Sequence, residues 1–583
     1  MSRVSLKIVG SSGQGINSVG EIVAKALKRS GYCVFGYREY PSLIKGGHAS
    51  YQLDISNEEI RSSETKVNIV IAFNHHGFEH NIPELKPNGV FIHSTPNWKF
   101  TDADNAIIKA NNLHFIYLPI EEILTRLSAK SILANVILTA CVWSMLGQEM
   151  EPLKTMVGEK FAKKKDLLEL NMKCIEEGFA FREREAKDFT FTLPKPAKKW
   201  QDHLLITGSE AMGLGAVHAG VRLYAGYPMT PSSPLLSYIA AIQNKTGMVI
   251  KQAEDEITAA QMVSGAMHMG TRALTATSGG GFDLMSETLS LNAIIENPTV
   301  FVLAQRPGPA TGLPTWTGQG DLLMAIHTAH GEFARCIIGV SDSQDSFDLM
   351  NDAFNIAEEF QISVIVLTDK QIAEALFTQK PFDQKKAKIN RGHLVTDAKE
   401  LAALKSSDRF DVTAKDGISP RWLPGSAAAT YNAQGDEHSG DGSVDESGPN
   451  AIAQLDKRMR KLAALKEELP EPILYGAKKP DILLIGWGST KGPILDALED
   501  DAFAKLKIGY LHFTYLLPLK TDLLEKLMKQ VKMSVLVEGN YQGQLGMLIR
   551  QETGLQVNHK ILKYDGRPFF IDELTEKLKG ILQ

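Results

Sequence analysis

At 583 residues the chain is too long for one hydrophobic core and implies about three or four domains. Hydrophobic residues make up 43% and the formal net charge is −5, which gives no overall basic field for nucleic acid. No apolar run approaches the ~18 residues of a membrane span, and the opening MSRVSLKIVGSSGQG lacks an apolar signal core, so a cytoplasmic protein without membrane or nucleic-acid partners is expected.

From the N-terminus, apolar runs at residues 6–9, 67–73, 89–93 and 114–118 predict strands, and residues 16–28 predict a helix. Their alternation implies parallel βαβ units. Between the first strand and that helix lies Gly10-Ser-Ser-Gly13-Gln-Gly15, whose glycines let backbone amides approach an anion. The dinucleotide fingerprint, however, is GxGxxG with an acidic residue about 20 positions on. Here the order is GxxGxG and Glu39 stands poorly for that acid, so a tight strand–helix turn is the better reading. His75, His76 and His80 lack a metal-ligand spacing and read as surface histidines.

Residues 184–202 turn charged, then proline- and lysine-rich, and mark a linker after a first unit at 1–183. A second α/β unit, 203–375, has strands near 204–207, 273–277, 299–304 and 363–368. Residues 376–478 read as an irregular polar connector with a charged helix near 452–469. A third unit, 479–583, holds strands near 482–486 and 535–537. The fold class is α/β, with three open, mostly parallel-sheet units.

The second unit carries the informative motifs. In Tyr227-Pro228-Met229-Thr230-Pro231 the prolines stiffen a segment that presents the Thr230 hydroxyl, and Ser232 or Ser233 suits a helix cap. Glu254-Asp255-Glu256 precede a helix rich in small residues, including Gly265. First-turn acids favour the helix dipole, which accounts for two of the three, and the small residues suggest close approach of another surface. Thr277-Ser-Gly279-Gly280-Gly281 is another strand-to-helix turn. Arg306 stands at a strand's C-terminal end, where open parallel sheets bind ligands and where structural salt bridges also occur. Cys33, Cys141, Cys174 and Cys336 are scattered singly, which argues against a disulfide scaffold, a zinc ribbon or a four-thiolate iron–sulfur cluster on this chain.

Together, YPMTPSS, AEDEITA, TSGGGFDLMSE and the stretch from Gln305 through PGPATGLPT to Asp321 resemble, in order, motifs of the 2-oxoacid:ferredoxin oxidoreductases. Residues 1–180, with GSSGQG and Lys45-Gly46-Gly47, are similar to that family's gamma subunit, here fused ahead of alpha. Glu538-Gly-Asn540 with Gly543-Gln544 resembles its transketolase C-terminal-like domain, and residues 435–445 its connector. Within those residues Gly440-Asp441-Gly442 mimics a magnesium–diphosphate motif, but it follows no strand and no Asn follows at the family's spacing.

The resemblance implies an alpha subunit with a gamma-type, a pyrimidine-binding and a C-terminal domain. Its activity would be thiamine-diphosphate-dependent oxidative decarboxylation of a 2-oxoacid, 2-oxoglutarate foremost, to acyl-CoA and CO2. Coenzyme A takes the acyl group, and electrons reach ferredoxin through a partner beta subunit that carries Mg2+ and a [4Fe–4S] cluster, leaving no metal on this chain. Glu256 is then the catalytic carboxylate on the aminopyrimidine N1′ nitrogen, with Pro228, Gly280 and Gly281 around the cofactor. Thr230, Arg306, Tyr227 and Thr311 would bind substrate. Trp316 replaces an expected basic residue, Ala310 a common serine and Pro307 a glycine, departures that bear on the choice of 2-oxoglutarate. Two other readings stand beside this one: a non-catalytic assembly subunit, and a dinucleotide-dependent oxidoreductase using the N-terminal glycine loop.

Overall fold

The computed structural model describes residues 3–12, 14–42, 46–74, 76–161, 165–189, 191–386 and 388–582. Gly13, Lys45 and His75 lie outside the described residues. Near-continuous apolar runs such as VSLKIVG and TVFVLAQ bury both faces of a strand, the pattern of sheets covered by helices on each side.

The first sheet has eight strands, in the order His114–Tyr117, Leu85–His93, Val67–Ala72, Val4–Ser12, Gly46–Ser56, Cys33–Glu39, Leu376–Gln379 and Leu204–Thr207. The first four are parallel and the rest pair antiparallel. The helix Ile16–Arg29 covers it with Val19, Val23 and Leu27, all fully buried. Gly15, at φ 87°, begins that helix, and a Cβ there would collide with Asn135, so packing alone demands glycine at the turn.

The second sheet runs Tyr515–Leu517, Arg335–Gly339, Ser363–Asp369, Thr299–Gln305, Ala273–Thr277, Leu223–Gly226 and Val249–Gln252. All but Tyr515–Leu517 are parallel. The third has Ile473–Gly476 antiparallel at one edge, then Ile508–Phe513, Ile482–Trp487, Met533–Glu538 and His559–Leu562 in parallel. The α/β reading with three open sheets built around parallel strands therefore holds, the first sheet adding an antiparallel half.

Two strands depart from expectation. Leu204–Thr207 does not open the second sheet; it pairs with Leu376–Gln379 at the edge of the first. The pairing is fixed from outside the motif: the Val34 N–H donates to Thr378 Oγ1 at 2.8 Å, and Leu376 packs where Gly36 has no side chain. The linker also contains order, since Trp200 is buried and its indole N–H donates to the Asn57 carbonyl at 2.8 Å.

Residues 376–478 are anchored by buried charge. Glu296, at φ 51° and fully buried, meets Lys457 Nζ at 2.5 Å and also pairs with Lys461. Arg409 donates to the Ile295 and Glu296 carbonyls. Burial opposes ionisation of Glu296, but Lys457, Lys461 and Arg409 hold its pKa below the usual range. A second knot sets Glu358 against Arg272 at 2.8 Å and Arg421 at 3.1 Å. Buried charges persist only when paired in this way.

Candidate active site

Because the central strands of the second sheet are parallel, their C-terminal ends deliver residues 227–231, 278–281 and 306–321 to one edge. That edge is where open α/β sheets bind ligands.

Glu256 opens the helix Glu256–His268. Asp255 caps it, accepting from the Thr258 backbone N–H at 2.7 Å, and this bond holds the Asp255 carboxyl below its usual pKa. Glu254 faces solvent. Glu256 turns inward: it is 4% exposed, and its Oε1 is buried with no hydrogen-bond partner. Beside it, a Cβ on Gly281 would lie 2.7 Å from Glu256 Oε1 and would collide with Thr277 Oγ1. The carboxylate thus stands against bare backbone. A buried polar atom left unpaired costs about 1–3 kcal/mol, so Oε1 calls for a hydrogen-bonding partner, whether a water, a ligand or a second chain.

Arg306 and Thr230 meet, though not through the Thr230 hydroxyl. Arg306 Nη1 donates to the Thr230 main-chain carbonyl at 2.6 Å. Ser232 holds the cap position of the following helix, yet its hydroxyl donates to the Met229 carbonyl at 2.6 Å instead of capping. A guanidinium has five N–H donors, so Arg306 can fix this segment and still grip an anion. Burial lowers the Arg306 pKa, with Asp321 opposing.

Asp321, which sequence reading named only as the end of a motif, belongs to the same group. A Cβ on Gly279 would lie 3.2 Å from Asp321 Oδ2, which is buried and without a hydrogen-bond partner. Burial, with Asp283 adding to it and Arg306 opposing, raises this carboxyl to about 6. An acid preceding the helix Leu322–His327 reads from sequence as an ordinary helix start, so no local signal distinguished it.

Tyr227, Pro228, Gly280 and Thr311 lie exposed around these residues. Trp316 carries the Arg567 guanidinium 3.8 Å over its ring, so a cation from the third unit stands beside the position where a basic residue was expected. The Glu538-Gly-Asn540 motif is structural: the Gly539 N–H donates to Gln319 Oε1 at 2.7 Å and Asn540 Nδ2 to the Gln319 carbonyl at 2.9 Å, clamping the end of the Arg306 loop. Asp441 closes a polar turn, accepting from the Ser443 N–H at 2.9 Å. Among the described residues no group of three or more His, Cys, Asp or Glu is placed to hold a metal ion.

One face here is left largely uncovered among the described residues, although Gln261 Nε2 donates to Thr288 Oγ1 at 3.0 Å. Ile257, Gln261, Gly265 and Met269 form an exposed stripe along the Glu256 helix, with Ile257 at 48% and Met269 at 53% exposure. A Cβ on Gly265 would meet nothing within 4 Å, and the same holds for Gly280. Glycine inside a helix costs about 1 kcal/mol relative to Ala, and no contact among the described residues explains that cost at Gly265.

Comparison with known proteins supplies the family. Residues 214–455 match the model described as "Pyruvate flavodoxin/ferredoxin oxidoreductase, thiamine diP-bdg", and residues 5–181 match "Pyruvate ferredoxin/flavodoxin oxidoreductase". The 2-oxoacid:ferredoxin oxidoreductase subunit alpha of Sulfolobus sp is 31% identical over all of this chain and 97% of its own length. The chain belongs to the 2-oxoacid:ferredoxin oxidoreductases, as an alpha subunit. The 2-oxoglutarate oxidoreductase subunit KorA of Mycobacterium tuberculosis is 26% identical, covering all of this chain and 92% of that one. The structure described as "2-oxoglutarate:ferredoxin oxidoreductase from Magnetococcus marinus with 2-oxoglutarate, coenzyme A and succinyl-CoA bound" superposes with a TM-score of 0.92, at 29% identity, over the whole of both chains. The family is therefore one of oxidoreductase enzymes, and the motifs from Tyr227 to Asp321 lie inside a thiamine-diphosphate-binding domain.

Proposed function

We propose that this chain activates thiamine diphosphate for the oxidative decarboxylation of 2-oxoglutarate in the cytoplasm, completed by a beta subunit that carries Mg2+, the diphosphate site and a [4Fe–4S] cluster and passes electrons to ferredoxin. The observation that carries the proposal is the unpartnered Glu256 Oε1 beside Gly281. When bound, thiamine diphosphate supplies the electron sink that decarboxylation of a 2-oxoacid needs. Glu256 holds a proton at the aminopyrimidine N1′ nitrogen, the partner its carboxylate otherwise lacks. Gly281 and Gly280 leave room for the ring, and Pro228 closes the segment beside it. Arg306 grips the substrate carboxylate through its uncommitted N–H groups, with the Thr230 hydroxyl as second donor and Tyr227 and Thr311 at the mouth.

Three observations support the finer points. The exposed stripe with Gly265 suits a closely packed partner across the cofactor. Arg567 over Trp316 offers a second cation for a dicarboxylic acid. Relatives named for 2-oxoglutarate, and a neighbour holding 2-oxoglutarate, coenzyme A and succinyl-CoA, favour that substrate and coenzyme A as acyl acceptor. The test is to purify the chain with its native partner and compare 2-oxoacids with coenzyme A and a viologen acceptor. We expect 2-oxoglutarate to give the highest kcat/KM; no turnover with any 2-oxoacid would refute the reading.

A further inference from the structure

A cleft of about 760 Å3 opens where all three units meet, and it shares no lining residue with the Glu256–Arg306 group. Ligand sites typically measure about 300–1,000 Å3. Its walls combine two chemistries. Phe377 and Tyr475, both half-buried, give flat apolar surface from opposite units. Lys199 and Lys380, exposed at the same cleft, have no acidic partner among the described residues. Lys199 lies only over the Trp200 ring, at 4.5 Å. The other cations of the cleft are already neutralised, Arg61 by Asp496 at 3.0 Å and Lys491 by Asp342 at 2.7 Å. His203 also lines the cleft, with its Nδ1 2.8 Å from the Lys199 carbonyl. Three carboxylates share the lining, each already engaged: Asp342 caps the helix Ser343–Phe360 by accepting from the Asp345 N–H at 2.9 Å, and Glu59 and Glu499 pair with Arg61 at 2.7 and 3.1 Å.

Two cations without acidic partners in one cleft favour an anion of concentrated charge, and the aromatic walls favour a flat ring attached to it. We infer that this cleft binds a purine nucleotide, its base against Phe377 and Tyr475 and its phosphate at Lys199 and Lys380. Because the three units each contribute a wall, the bound nucleotide bridges all of them, and it does so away from the reacting centre.

Calorimetric titration of the full chain with adenosine monophosphate, adenosine and inorganic phosphate, each with thiamine diphosphate present, tests this. Adenosine monophosphate is expected to bind with a Kd below about 1 mM and at least about tenfold more tightly than either fragment. Losing a charge-assisted contact weakens binding about tenfold or more, so Lys199→Ala and Lys380→Ala should each do so, with adenosine binding unchanged. The inference is overturned if no saturable binding occurs, if phosphate alone binds as tightly, if thiamine diphosphate displaces the nucleotide, or if the lysine variants bind it normally.

Discussion

Asp321 carries the sharpest single-residue prediction. Its carboxyl is raised to about 6 by burial and stands beside the cation expected to hold the substrate. Above that pH it is ionised and offsets the charge of Arg306; below it, Arg306 is free for the substrate carboxylate. The KM for a 2-oxoacid should therefore rise as pH increases through about 6, and Asp321→Asn should flatten the dependence. A wild-type KM that is constant from about pH 5 to 7 would contradict the assignment. Arg306→Lys loses the planar fork, and at about 1.5–3 kcal/mol for a charged hydrogen bond it should cost roughly tenfold to a hundredfold in kcat/KM, with cofactor affinity retained. Unchanged kinetics would remove Arg306 from the site. Thr230 and Arg306 were singled out in the sequence by the flanking prolines and the strand-end position, whereas only the family resemblance separated Glu256 from Glu254 and Asp255. Their contacts were not legible: Arg306 reaches a main-chain carbonyl across 76 positions, and only the folded sheet brings the two together. Asp321 escaped for the same reason, since its burial is tertiary.

At the level of elements, the Glu256 helix makes two demands that pull apart. Its inner face packs against the sheet, while Ile257, Gly265 and Met269 are left facing out. Gly265→Ala should stabilise the isolated chain by up to about 1 kcal/mol, as helix propensity dictates, and weaken assembly with the beta subunit. Thermal denaturation and co-elution read the two effects separately; a variant that is more stable and assembles normally would mean that the face contacts nothing. The helix and its small residues were readable from composition. The edge pair Leu204–Thr207 and Leu376–Gln379 was not, because strand pairing over so long a separation leaves no trace in local hydrophobic period.

Across the whole molecule, buried charge pins residues 376–478 to the second unit. Glu296→Gln would leave Lys457 and Lys461 buried without their partner, and breaking a buried pair from one side costs roughly 3–5 kcal/mol. A clear fall in Tm is expected, and an unaltered Tm would mean the knot is not structural. Three α/β units in series were visible in the alternation of strands and helices, whereas these knots were not, since their partners lie far apart in sequence, 63 positions for Glu358 and Arg421 and 161 for Glu296 and Lys457. The same arrangement sets the C-terminal ends of parallel strands around one carboxylate, Glu256. In the chain assembled with its beta subunit, 2-oxoacid turnover should be compared for Glu256→Gln, Glu254→Gln and Asp255→Asn. Glu256→Gln should assemble normally and lose roughly 10²–10⁴ in kcat, as expected for a lost acid–base contribution, while the other two change little. Equal losses at all three positions, or none at Glu256, would contradict the account.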